Sequence, residues 1–185
     1  MNPFDPVRIL DVLGRHGVEF VVIGGFAAEL YRVPIPATRD IDVTPRVSPA
    51  NLARLSAALE ELGARVRTSA VPEGLAFSHD ASSLARTTIW NLTTAAGEFD
   101  LTFRPAGTEG YDDLVVDAVV VAIGDHDLAV AALADVVRSK EAAGRPKDLS
   151  TLPALRESLG ALRDVRLDEV RSGMLQVLRQ RRLAD

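Results

Sequence analysis

A run of β-branched and aromatic residues, Val18 to Ile23, stops at the pair Gly24-Gly25, after which Phe26, Ala27, Leu30 and Tyr31 recur at helical spacing. The order is strand, glycine turn, helix. Such a turn offers backbone N–H groups and the positive end of a helix dipole to an anion such as phosphate. Pro34 and Pro36 stop the helix, and Thr38-Arg39-Asp40-Ile41-Asp42-Val43-Thr44 then alternates as a strand does.

On a strand, residues i and i+2 project to one face about 6.5 to 7 Å apart, so Asp40 and Asp42 present two carboxylates side by side. Adjacent anions repel, and aspartate is depleted in strands, so the pair implies a cation between its members, with oxygen-seeking Mg²⁺ the fitting choice. Taken alone, an Asp-x-Asp is more often an exposed edge strand with solvated carboxylates. The glycine turn upstream changes that balance, because a phosphate cradle and metal carboxylates then occur together. Glu98-Phe99-Asp100-Leu101-Thr102-Phe103 supplies another aspartate on an alternating strand. A neighbouring strand lies only about 4.8 Å away, so Asp100 can complete a three-carboxylate set.

The surrounding pattern is that of a mixed α/β (α+β) sheet flanked by helices. Asp5-Pro6 starts a first helix that ends near Gly14 to Gly17, and Ser48 caps another with Leu52, Leu55, Leu59 and Leu62 on one face, ending at Gly63. Short strands are expected at 64–67, 75–78, 87–91, 99–103 and 114–121. A helix is expected from about 128 to 143, broken by Gly144-Arg145-Pro146, with two more around 149–162 and 167–183. The change near Ser150 divides a core of residues 1–150 from a short helical C-terminal extension of residues 151–185.

The 185 residues, 47% of them apolar and 25% charged, suit one globular domain and exclude disorder or a coiled-coil rod. No apolar run approaches the roughly 18 residues of a membrane span, Met1 to Pro6 does not read as a secretory signal, and there is no cysteine, so a cytoplasmic chain without disulfides is expected. Phosphate-loop, dinucleotide, zinc-protease and nucleophile-elbow motifs are absent. His16, His79 and His126 are scattered and read as surface or packing residues, and Trp90 as core. The net charge of −5 argues against a protein that coats nucleic acid. Of the 21 Lys+Arg and 26 Asp+Glu, residues 138–185 hold 11 and 7, so that segment is locally basic and is either a phosphate contact or a solvated helix surface.

The string Ile23-Gly24-Gly25-Phe26-Ala27-Ala28-Glu29-Leu30-Tyr31, followed by Ala37-Thr38-Arg39-Asp40-Ile41-Asp42-Val43, resembles the nucleotidyltransferase superfamily of the polymerase β type. It looks most like the AbiEii and MenT-like nucleotidyltransferase toxins. Fourteen residues separate Gly25 from Asp40, one beyond the usual pattern, which places a one-residue insertion around Pro34 to Pro36. The similarity extends through Arg138-Ser139-Lys140 and Gly144-Arg145-Pro146-Lys147-Asp148-Leu149 and covers residues 18–150. On their own, Lys140 and Lys147 read as helix-end charges, and Arg39 points away from Asp40 if the strand is regular.

The resemblance implies Mg²⁺-dependent transfer of a nucleotide from an NTP to an acceptor hydroxyl, with pyrophosphate released. In that scheme Asp40, Asp42 and Asp100 are the metal ligands, Lys140 and Asp148 complete the catalytic set, and Gly24, Gly25, Thr38, Arg39, Lys140 and Lys147 meet the NTP. The toxin families further imply the 3′ end of tRNA as acceptor and a cognate antitoxin as control, and raise the question of inhibitory phosphorylation at Thr38; if RNA is the acceptor, the basic C-terminal segment offers Arg179, Arg181 and Arg182 as its contacts. Two alternatives stand beside this. One is transfer of AMP to a protein or to a small molecule such as an aminoglycoside. The other is a catalytically silent nucleotide-binding or antitoxin-like interaction module, against which the full set of aspartates argues.

Overall fold

In the computed structural model, which describes residues 4–183, seven strands pair into one sheet. They are β1 (Phe20–Ile23), β2 (Asp40–Pro45), β3 (Arg65–Val66), β4 (Ile89–Thr94), β5 (Gly97–Thr102), β6 (Val119–Ile123) and β7 (His126–Val130), and their order across the sheet is β3-β4-β5-β2-β1-β7-β6. Strand β1 runs antiparallel to β2 and parallel to β7, while β2 runs parallel to β5. The helices are α1 (Pro6–Arg15), α2 (Gly24–Leu30), α3 (Pro49–Glu61), α4 (Ala81–Leu84), α5 (Tyr111–Leu114), α6 (Leu133–Ala143), α7 (Pro146–Ala161) and α8 (Leu167–Leu183). This is the mixed sheet with flanking helices that the sequence pattern requires. Residues 1–3, on which part of the leader reading rests, lie outside the described residues.

Local chemistry sets the element ends. The Asp5 carboxylate accepts the Arg8 N–H at 2.8 Å ahead of Pro6, and the Ser48 hydroxyl accepts the Asn51 N–H ahead of Pro49. Helix α6 ends on Gly144 at φ +60°, and Pro146 opens α7. Strands β2 and β5 each bury one face: Ile41, Val43, Phe99 and Leu101 are fully buried, and Asp40, Asp42, Glu98, Asp100 and Thr102 alternate with them.

Three expected elements change. Residues 75–78 form only an isolated bridge, Leu75 to Val66, with Leu75 half exposed, while Phe77 packs against Trp90 with ring centroids 5.2 Å apart. The strand expected over 114–121 splits, its start taken by the short helix α5 and a turn, and β6 begins at Val119. The helix expected from 128 begins at Leu133, because His126–Val130 is strand β7, hairpin-paired to β6 across Gly124-Asp125 with Gly124 at φ +58°. The run from Leu128 to Leu133 is apolar throughout, and periodicity alone does not separate strand from helix in such a run.

Helix α8 packs on α2 and β6 and adds Met174, Val177 and Leu178 to the same buried cluster as the sheet. Arg181 on α8 forms a two-pronged ion pair with Glu29 on α2, both bonds 2.6 Å, and lies 5.6 Å over the Phe4 ring. Arg32 bonds Gln176. Arg181, expected as an RNA contact, is therefore bound to the fold, whereas Arg179 and Arg182 are exposed. Ser150 lies within α7. No helix among the described residues is long and apolar enough to cross a membrane.

Because Met174 is fully buried in the shared cluster, Met174→Ala should lower stability by about 2 to 5 kcal/mol. The shift should appear equally in far-UV circular dichroism and in the fluorescence of Trp90, the one tryptophan, which sits on β4. An unshifted Trp90 transition would show that α8 unfolds separately.

Candidate functional site

The parallel register of β2 and β5 sets Asp42 opposite Asp100 and Asp40 opposite Glu98, so the three aspartates meet on one face of adjacent strands. The antiparallel partner β1 brings Ile23 opposite Asp42, and the chain then turns at Gly24 with φ +72°. A Cβ on Gly24 would lie 2.8 Å from Asp42 Cγ, and one on Gly25 would lie 3.0 Å from Thr38 Oγ1. Gly24 is thus required by close approach and by its backbone angle, and at Gly25 a side chain would crowd Thr38. Thr38 in turn donates its hydroxyl to Asp40 Oδ1 at 2.5 Å. The glycine turn, Thr38 and the aspartate pair form one packed unit.

Nearby cations offset the charge of these carboxylates only in part. Burial, and then Asp40 and Asp100, push the Asp42 carboxyl up to about 7, with Lys147 and Lys140 opposing. Asp100 is also raised by burial, against the pull of Arg67, whose Nη2 lies 3.3 Å from Asp100 Oδ1. No local sequence pattern marks Arg67, since it reaches Asp100 from just beyond β3, across β4.

The other charged group of the cleft centres on Asp148, which is fully buried near the start of α7. Lys140 Nζ on α6 donates to its Oδ1 at 2.9 Å and Arg145 Nε to its Oδ2 at 2.5 Å. Burial alone would raise the Asp148 carboxyl, but these two bonds outweigh it and hold it below the ordinary range. Asp148 therefore orients Lys140 and Arg145 together and leaves their combined charge positive. Lys147 is exposed beside them.

Asp40, Asp42, Asp100, Lys140, Arg145, Lys147 and Asp148 line one open cleft of about 810 Å³, together with Gly24, Gly25, Thr38, Asn91 and Arg104. That volume lies within the range of small-molecule sites. Arg39 also lines it: the residue precedes the first strand position, Asp40, so the alternation that would turn it away from the cleft does not apply. No histidine lines this cleft. His16 pairs with Glu61 at 2.7 Å, and His79 bonds Ser56 at 2.8 Å.

Among the described residues no three His, Cys, Asp or Glu side chains are gathered into a ready-made metal cage. The donor set nevertheless fits Mg²⁺, which keeps several waters and binds through one or two carboxylates plus substrate phosphates rather than an all-protein cage. The all-oxygen donors and the raised Asp42 carboxyl mark where a dication would relieve repulsion.

No protein-family model and no curated protein matches the chain. Its fold is similar to the solution structure of the antibiotic-resistance factor ANT(2'')-Ia, at 16% identity over 96% of this chain and 90% of that one, with a TM-score of 0.50. It is similar also to the crystal structure of ANT(2'')-Ia in complex with adenylyl-2''-tobramycin, at 15% identity over 91% of this chain and 93% of that one, again with a TM-score of 0.50. At this identity the likeness shows the fold alone, a mixed sheet flanked by helices shared with ANT(2'')-Ia.

The raised Asp42 carboxyl has a measurable consequence. The folded chain holds that proton between the unfolded value of 3.8 and about 7, so metal-free stability falls as pH rises through this window and levels off above it. In chelator, Asp42→Asn should melt higher than wild type at pH 8, by on the order of 4 kcal/mol at most, and the difference should vanish near pH 4. A thermal-melt series across pH checks both the sign and the window.

Proposed function

We propose that the chain is a Mg²⁺-dependent nucleotidyltransferase that moves a nucleoside monophosphate from an NTP to a hydroxyl of a small polar acceptor, releasing pyrophosphate. The observation that carries this reading is the register that sets Asp42 against Asp100, in a cleft shared with the glycine turn and the Lys140, Arg145 and Asp148 group. A metal ion held by Asp40, Asp42 and Asp100 would supply charge neutralisation at the transferring phosphoryl group.

The chain's own residues do the rest. Gly24 and Gly25 let the phosphates approach the backbone with no side chain in the way, and Thr38 fixes the orientation of Asp40. Lys140 and Arg145, aimed by Asp148, and Lys147 and Arg39 at the rim offset the charge that gathers on the departing pyrophosphate. The acceptor oxygen bonds to the α-phosphorus as the bond to the β-phosphate bridge oxygen breaks, and Asp100 takes the hydroxyl proton. Catalysis of this kind rests on positioning and charge.

The adenylyl-tobramycin complex of the similar structure supports a small hydroxylated acceptor of the aminoglycoside type. The tRNA acceptor and the antitoxin partner gain no support from either similar structure, and Arg181, one of the expected RNA contacts, is engaged with Glu29. A reaction that consumes NTPs belongs in the cytoplasm.

The test is incubation with each labelled NTP and Mg²⁺ in the presence of aminoglycosides, total tRNA or total protein. Label is expected on the small molecule. Label on tRNA would restore the toxin reading, and label on none of them would overturn transfer. Asp42→Ala should lower turnover by on the order of 10² to 10³ with the fold intact. Lys140→Ala should weaken both NTP binding and transfer, and Lys140→Arg should restore only part, since a planar fork replaces a compact ammonium.

A further inference from the structure

Arg67 belongs neither to the glycine turn nor to the basic group around Asp148, yet its guanidinium sits on the carboxylate site. It follows β3, donates its backbone N–H to the Asn91 carbonyl at 2.8 Å, and Asn91 stands opposite Asp100 in the β4–β5 pairing. The side chain crosses that row. A single nitrogen, Nη2, lies 3.3 Å from Asp100 Oδ1 and 3.4 Å from Glu98 Oε2.

These contacts are longer than those of Arg138 and Arg181, which hold the fold together. Arg181 grips Glu29 with two nitrogens, each at 2.6 Å, whereas Arg67 shares one nitrogen between two carboxylates at longer range. Its Nε is buried with no hydrogen-bond partner. Arg138 likewise gives one nitrogen to two carboxylates and leaves its Nε unpaired, but it holds Asp113 and Asp135 at 2.9 and 2.8 Å, so what sets Arg67 apart is the greater length of its contacts and their place. Arg67 supplies positive charge through two long contacts, and it does so at the aspartate set.

Resting on the reading of this cleft as a metal site, we propose that Arg67 is a place-holding cation: it neutralises Asp100 while the site lacks a metal ion and gives way when a dication takes over that charge. Arg67 thus acts on the metal through Asp100 and is a positioning residue. Its presence weakens binding of a bare dication, because guanidinium and metal draw on the same carboxylate. A metal that arrives on a triphosphate gains a second hold through Lys140, Arg145 and Lys147, and so competes better with Arg67 than the free ion does.

The test is binding of Mn²⁺ alone to the full chain without nucleotide, measured by electron paramagnetic resonance of the free ion. Arg67→Gln should bind Mn²⁺ about tenfold more tightly than wild type, since a nearby positive charge has been removed. Arg67→Lys, which keeps that charge, should stay close to wild type. In an Asp100→Asn background the Arg67→Gln change should have no effect. Circular dichroism confirms folding, and Arg67→Met, which keeps the apolar stem, replaces the glutamine variant if that one does not fold. Folded Arg67→Gln or Arg67→Met with wild-type or weaker Mn²⁺ affinity overturns the place-holder while leaving the metal reading intact. Mn²⁺ binding that is absent from wild type and all variants overturns the metal reading and the place-holder with it.

Discussion

Electrostatic repulsion among carboxylates held side by side by an apolar core is the constraint on which the rest of this structure depends. Strands β2 and β5 bury Ile41, Val43, Phe99 and Leu101 on one face, and the period of two then forces Asp40, Asp42 and Asp100 onto the other. A register slip of one residue would put aspartate into the core and leucine or phenylalanine into the cleft. The aspartates cannot separate without giving up that burial. Apolar packing thus maintains a charge cluster that is unfavourable by itself, and the raised carboxyls of Asp42 and Asp100 record that conflict.

The molecule answers the cluster in two different ways. Around Asp148, two cations are matched to both oxygens of a fully buried carboxylate at 2.9 and 2.5 Å, which fixes Lys140 and Arg145 and leaves one net positive charge in the cleft. At Asp100 the opposing charge is Arg67, held through one nitrogen only. The first arrangement is rigid and suits a group that must meet the same phosphates in each cycle. The second is loose and suits a contact that is exchanged.

What the sequence reveals about the site follows from how local each signal is. Gly24-Gly25 and Asp40-x-Asp42 are legible because turn chemistry and a period of two act over a few residues, and Asp100 because Phe99 and Leu101 flank it in the same period. Arg67 is not legible. It reaches Asp100 only because β3, two residues long, pairs with β4 and β4 with β5, a chain of pairings that no local pattern encodes. Strand β7 was hidden differently: its apolar run continues unbroken toward α6, and only Gly124-Asp125, a hairpin signal, marks where the strand pair turns.

The C-terminal helix shows how a segment far from the cleft can still govern it. Helix α2 begins at the glycine turn and carries Glu29 near its other end, where Arg181 of α8 grips it through Nε and Nη2 while Met174 and Leu178 are buried in the common core. Seven residues of helix are too few to hold their own position in water. The place of Gly24 beside Asp42 therefore depends on contacts made at the far end of the same helix. The positive charge of this segment, which the sequence pattern leaves open to phosphate binding, is in the case of Arg181 spent on holding α2, and through it the glycine turn, against the aspartates.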